Sequence, residues 1–156
     1  MVQHERFLEA RTRDEPEAVL LKHVRAAEAH YLQALTLCPS NAIIQLGPLH
    51  GQLGNLYDDV GQTEQAREHY EQCVQIFEQI GDRYHAGRTR YNMALMYRQS
   101  ALAQDNPNRR RDLLHRAKAY AEAALRDFQT YQGRAADWEA NAQQLIARIE
   151  QALAGS

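Results

Sequence analysis

The chain of 156 residues carries 18 basic and 20 acidic side chains, a formal net charge of -2, and 44% apolar residues. That balance excludes the strong one-signed field that draws in nucleic acid or an anionic membrane, and the apolar share suffices for one continuous core in a single domain. Four prolines and eight glycines, among many Ala, Leu, Gln, Glu and Arg residues, predict packed helices and not disorder.

The first segment, Val2 to Arg13, has a poor pattern and no apolar signal region, and no run of about 18 apolar residues follows anywhere. A soluble cytoplasmic protein, or a soluble piece of a larger one, is expected. Asp14-Glu15-Pro16-Glu17 reads as a capping box with proline in the first turn. It opens a helix over about 16–38. Pro39-Ser40-Asn41, Gly61-Gln62-Thr63, Gly81-Asp82 and Gln132-Gly133 separate the later segments, so about seven helices are predicted. Ser40 suits a helix cap. Cys38 and Cys73 both fall in predicted helices, which favours reduced thiols over a disulfide framework.

Leu53-Gly54-Asn55-Leu56-Tyr57 returns 40 residues later as Met93-Ala94-Leu95-Met96-Tyr97. A second pattern, Ala27, Tyr31, Ala34 and Cys38, returns as Ala66, Tyr70, Cys73 and Phe77, and again as Ala117, Ala121, Ala124 and Phe128. Spacings of four, three and four place each set on one helical stripe, where small residues admit a neighbouring helix and aromatics fill the gap. Repetition at this period marks units that each bury one face against the next.

On these residues the chain resembles the tetratricopeptide repeat family, whose helix-turn-helix unit carries Leu-Gly-x-x-Tyr in its first helix and Ala-x-x-x-aromatic-x-x-Ala in its second. The resemblance covers roughly residues 24–150. It implies an all-α solenoid of antiparallel helix pairs in a right-handed superhelix. The expected domain spans 1–156: the second helix of a first unit over 16–38, a second unit over 41–80, a third over 83–131, and a capping helix over 135–153. The unit is longer than the family's usual one of about 34 residues. A loop insertion is expected near 103–111, where Asn106-Pro107-Asn108 supplies turn-forming residues. Ala121 replaces the expected aromatic of the second helix, with Tyr120 beside it.

Signatures of catalysis are missing: there is no phosphate-binding glycine loop, no Gly-x-Gly-x-x-Gly, no His-Glu-x-x-His and no Gly-x-Ser-x-Gly. His69 and Cys73 stand four apart, but Cys73 holds a small core place and structural zinc wants four ligands. Asp58 and Asp59 are helix neighbours about 100° apart and so do not face each other as an acid–base pair. Arg109-Arg110-Arg111 is a lone basic run without interleaved aromatics. No enzyme activity, cofactor, metal, nucleic acid or membrane partner is expected.

In the family, first helices line a concave groove that takes a peptide or helix. By the Leu-Gly-x-x-Tyr register, that role falls to Asn55, Asp58 and Asp59 on one helix and Arg88, Tyr91, Leu95, Arg98 and Gln99 on the next. Gln52 and Asn92 border it. The resemblance implies a non-enzymatic scaffold binding a protein or peptide partner, with self-association also allowed by an open end. A family version that grips chaperone carboxylates is not supported, since Leu95 holds its second asparagine place and Gly51 its lysine place. The 40-residue unit with Gly-Asp between copies also resembles arrays attached to bacterial signalling ATPases, which gives a sensing or regulatory module as the alternative.

Overall fold

A computed structural model describes residues 17–37, 39 and 42–155. The first segment, Val2 to Arg13, most of the capping box before Glu17, the Ser40 cap and Cys38 lie outside the described residues. Within them the chain forms six helices: α1 (Glu17–Leu37), α2 (Ile43–Asp59), α3 (Thr63–Gln79), α4 (Arg83–Leu102), α5 (Pro107–Gln129) and α6 (Ala136–Ala154). No strand occurs among the described residues. Each helix packs chiefly on its neighbours in sequence, with slighter contacts of α2 with α4 and α4 with α6. That is the layered arrangement of a tetratricopeptide-like helical solenoid.

The expected stripes are buried. Ala66, Tyr70, Cys73 and Phe77 on α3, and Ala117, Ala121, Ala124 and Phe128 on α5, all lie in the core, as do Ala27 and Tyr31 on α1. The first-helix stripes join them through Leu53, Leu56 and Tyr57 on α2 and Met93, Met96 and Tyr97 on α4. On α6, Ala142, Leu145 and Ile149 are buried, with Trp138 and Leu153 packed partly against the core.

The turns repeat like the helices. Gly61 and Gly81 adopt φ of 75° and 74°, a left-handed conformation that a side chain disfavours. The N–H of Gln62 bonds the Tyr57 carbonyl at 2.8 Å and that of Asp82 bonds the Phe77 carbonyl at 2.8 Å, closing the two helix ends in the same way. Beyond Ala103 the chain differs from the expected loop over 103–111. Asn106 Oδ1 accepts from the N–H groups of Asn108 (3.0 Å) and Arg109 (3.2 Å), and Pro107 takes the first helical position. A capped start with proline at N1 begins a helix there. Arg109-Arg110-Arg111 therefore lies in the first turns of α5, and much of the inserted length goes into longer helices.

Candidate functional site

Three glycines set how closely α2 and α3 approach. Gly47, Gly51 and Gly54 share one stripe of α2, and a Cβ on them would stand 3.1 Å from Ile76 Cγ2, 3.2 Å from Cys73 Sγ and 2.4 Å from Tyr70 Cδ1. Bare backbone at Gly51 leaves an open cleft of about 200 Å³ between α2 and α4, with α3 as its floor. Pro48, Gly51, Gln52 and Asn55 form one wall, His85, Arg88, Thr89 and Asn92 the other, and Tyr70, Cys73 and Phe77 the floor.

The floor is chemically quiet. Thr89 Oγ1 donates to the His85 carbonyl at 3.0 Å, so the Cys73 thiol is left to donate to Thr89 Oγ1 at 3.3 Å. Burial pushes that thiol up from its ordinary value, the reverse of what a nucleophile needs. His69 and Cys73 do not come together, because His69 turns to His50 across the hairpin. His85 stacks on Phe77 with centroids 5.0 Å apart, and its Nδ1 lies 2.7 Å from Asp82 Oδ2.

The walls carry amides and one cation. Tyr70 donates its hydroxyl to Asn55 Oδ1 at 2.8 Å, and Asn92 Nδ2 donates to the same oxygen at 3.2 Å. A polar relay thus crosses from α3 through α2 to α4. The Arg88 guanidinium lies 5.3 Å from the centre of the Trp138 ring, which ties the cleft rim to α6.

Of the residues expected to line a groove, Gln52, Asn55, Arg88 and Asn92 come together in this cleft. Asp58, Asp59, Tyr91, Leu95, Arg98 and Gln99 do not line it. Tyr91 meets Trp138 edge to face at 5.6 Å and packs half-buried against the core. Leu95 and Gln99 are exposed, and Arg98 is half-buried. Asp58 is half-buried, and its carboxyl is pushed up to about 6, first by desolvation and then by the charge of Asp59. Sequence reasoning missed Pro48, Tyr70, Cys73, Phe77, His85 and Thr89. The floor residues read as core, which they also are. For His85 and Thr89 the available signal was helical spacing, His85 standing one turn before Arg88 and Thr89 one turn before Asn92.

Among the described residues no helix is long and apolar enough to cross a membrane. No curated protein and no solved structure matches the chain. A family model described as tetratricopeptide repeat matches residues 45–105, a span that takes in most of α2, all of α3 and all of α4, including every residue of the cleft. Residues 45–105 thus carry tetratricopeptide repeats.

Proposed function

We propose that the chain is a non-enzymatic binding module that takes an extended peptide segment of a protein partner in the cleft between α2 and α4. Tetratricopeptide repeats serve protein–protein interaction in general, and the cleft supplies the chemistry for it. The observation that carries this reading is the relay Tyr70–Asn55–Asn92. The two bonds to Asn55 Oδ1 fix both carboxamides, leaving the Asn55 N–H groups as donors and Asn92 Oδ1 as an acceptor in the same cleft. A peptide group presents the complementary pair, one carbonyl and one N–H. Gln52 adds a third amide, and Arg88 offers a charged donor to an acidic side chain.

Selection of displayed peptides against the intact chain, followed by calorimetry on the winners, tests this reading. Asn92→Ala and Gln52→Ala are expected to weaken binding by about tenfold or more each, the loss of roughly one good polar contact. Selected peptides that bind both variants as tightly as the parent protein would place recognition elsewhere on the surface.

A further inference from the structure

We propose that the hydrogen bond between His50 of α2 and His69 of α3 is an acid-operated latch, which holds the two helices together while the pair carries one added proton or none and opens when both rings are charged. The two Nδ1 atoms stand 3.0 Å apart although the residues are 19 positions apart in sequence. The ring centres are 5.2 Å apart, so the nitrogens point at each other along one bond.

Proton counting on that bond sets its behaviour. In the neutral pair one ring donates its Nδ1–H and carries a bare Nε2, while the other accepts at Nδ1 and keeps its proton on Nε2. A first added proton goes to the bare Nε2 of the donor. The Nδ1–H···Nδ1 bond survives and becomes charge-assisted. A second proton has one place left, the accepting Nδ1, where its arrival turns an acceptor into a donor. Two cations then face each other N–H to N–H, at a separation made for one shared proton.

The surroundings set when and in what order this happens. Burial is the larger cause at both rings and lowers each from its ordinary value; beyond that, Glu68 favours the charged form of His69, while the charge of His69 opposes that of His50. His69 therefore charges first, as the donor, and His50 takes the disruptive proton. Both shifts are downward, so the latch's stabilisation is complete above about 6.5, the unfolded value, and is lost as pH falls through the lower folded values.

Three carboxylates lie around the pair. Glu68 and Glu71 of α3 line the cleft of about 320 Å³ on which the rings open, and Arg67 engages Glu71 at 2.9 Å. On the other side His69 stacks on Tyr57 of α2 with centroids 5.4 Å apart, and the Tyr57 hydroxyl donates to Glu28 of α1 at 2.6 Å. Glu68 is thus one acid set against two cations. His50 adjoins Gly51, whose bare backbone lies over Cys73, and His69 adjoins Tyr70, whose hydroxyl bonds Asn55. Parting α2 from α3 separates a wall of the α2–α4 cleft from its floor, so the cleft is lost with the latch.

Nuclear magnetic resonance of the intact, nitrogen-labelled chain tests the latch with no peptide present, so its outcome is independent of the proposed binding function. At neutral pH the two rings should show opposite tautomers, with a scalar coupling between their Nδ1 atoms. On acidification His69 is expected to charge before His50. Once His50 charges, amides of α2 and α3 should exchange with solvent about tenfold faster or more after correction for intrinsic rates, the loss of one charge-assisted hydrogen bond. His50→Asn places an amide oxygen where Nδ1 accepts, an acceptor that cannot be charged. Protection of α2 and α3 should then persist through the same acid range, with circular dichroism at pH 7 checking the variant's helices. Identical tautomers for the two rings at neutral pH, or an equal acid loss of protection in the parent chain and His50→Asn, overturns the proposal.

Discussion

Gly54 and Tyr70 occupy one space between them: a Cβ on Gly54 would stand 2.4 Å from Tyr70 Cδ1 and 2.6 Å from Cε1. The ring is only 1% exposed, so it has nowhere to retreat without moving core neighbours. Overpacking of this kind costs about 1–3 kcal/mol, while alanine in place of glycine within a helix recovers about 1 kcal/mol. Gly54→Ala is therefore expected to destabilise the chain, by up to about 2 kcal/mol. The reading is a lower denaturant midpoint at unchanged slope. A midpoint at or above that of the parent chain would show that the ring shifts freely.

The same pair shows what was legible in the sequence. Spacing revealed the buried stripes because the side of a helix that faces the core is written in its period. It also showed Ala94 where the second unit has Gly54, and Ala121 where it has Tyr70, but as two unrelated departures. In three dimensions they are one exchange: the large ring faces bare backbone, and the small Ala121 is matched by Ala94, both fully buried in the same cluster. Asn55 and Leu95 follow suit, since Asn55 accepts the Tyr70 hydroxyl and α5 has no hydroxyl at the place of Ala121. Tyr120 does not stand in for Tyr70; it stacks on Tyr97 at 5.6 Å. Pairing across helices depends on how they cross, which no single-helix period encodes. For that reason the cleft floor was read as core alone.

Tyr70→Phe tests the relay at its source. The change removes one donor but leaves Asn55 Oδ1 bonded to Asn92, so the expected loss is about 0.5–1.5 kcal/mol. Adding Asn55→Leu copies the residue found at the equivalent place in α4, and the double variant should cost less than the sum of its parts. Strictly additive losses in the chemical-denaturation cycle would mean that the hydroxyl and the carboxamide do not interact.

A charged junction joins α3, α4 and α5. Asp127, 4% exposed, accepts from Arg90, which also reaches Glu78, and Arg83 lies 3.6 Å away. Asp127→Ala leaves the partly buried Arg90 with only the exposed Glu78 as partner and is expected to cost about 3 kcal/mol. Glu78 sits on the exposed side of the same arginine, and Glu78→Ala should cost less than about 1 kcal/mol. Thermal unfolding of the two variants compares them directly. Equal losses would mean that burial does not set the strength of this junction.

Acid should act on the second unit through two opposed groups. His50 and His69 are lowered in the fold, so as pH falls through about 6.5 the unfolded chain binds more protons and stability declines. Asp58 is raised to about 6, so below that value the folded chain holds the extra proton and stability gains. Above pH 6 the ionised Asp58 is the unfavourable form, being desolvated and beside Asp59. Asp58→Asn is accordingly expected to raise the urea midpoint at pH 7, with the advantage shrinking towards pH 4 as the parent carboxyl protonates. His69→Gln should flatten the decline between pH 7 and 6, because only His50 then remains to be charged. An Asp58→Asn midpoint no higher than that of the parent chain at pH 7 would show that solvent reaches this carboxylate well enough to cancel the effect of its burial.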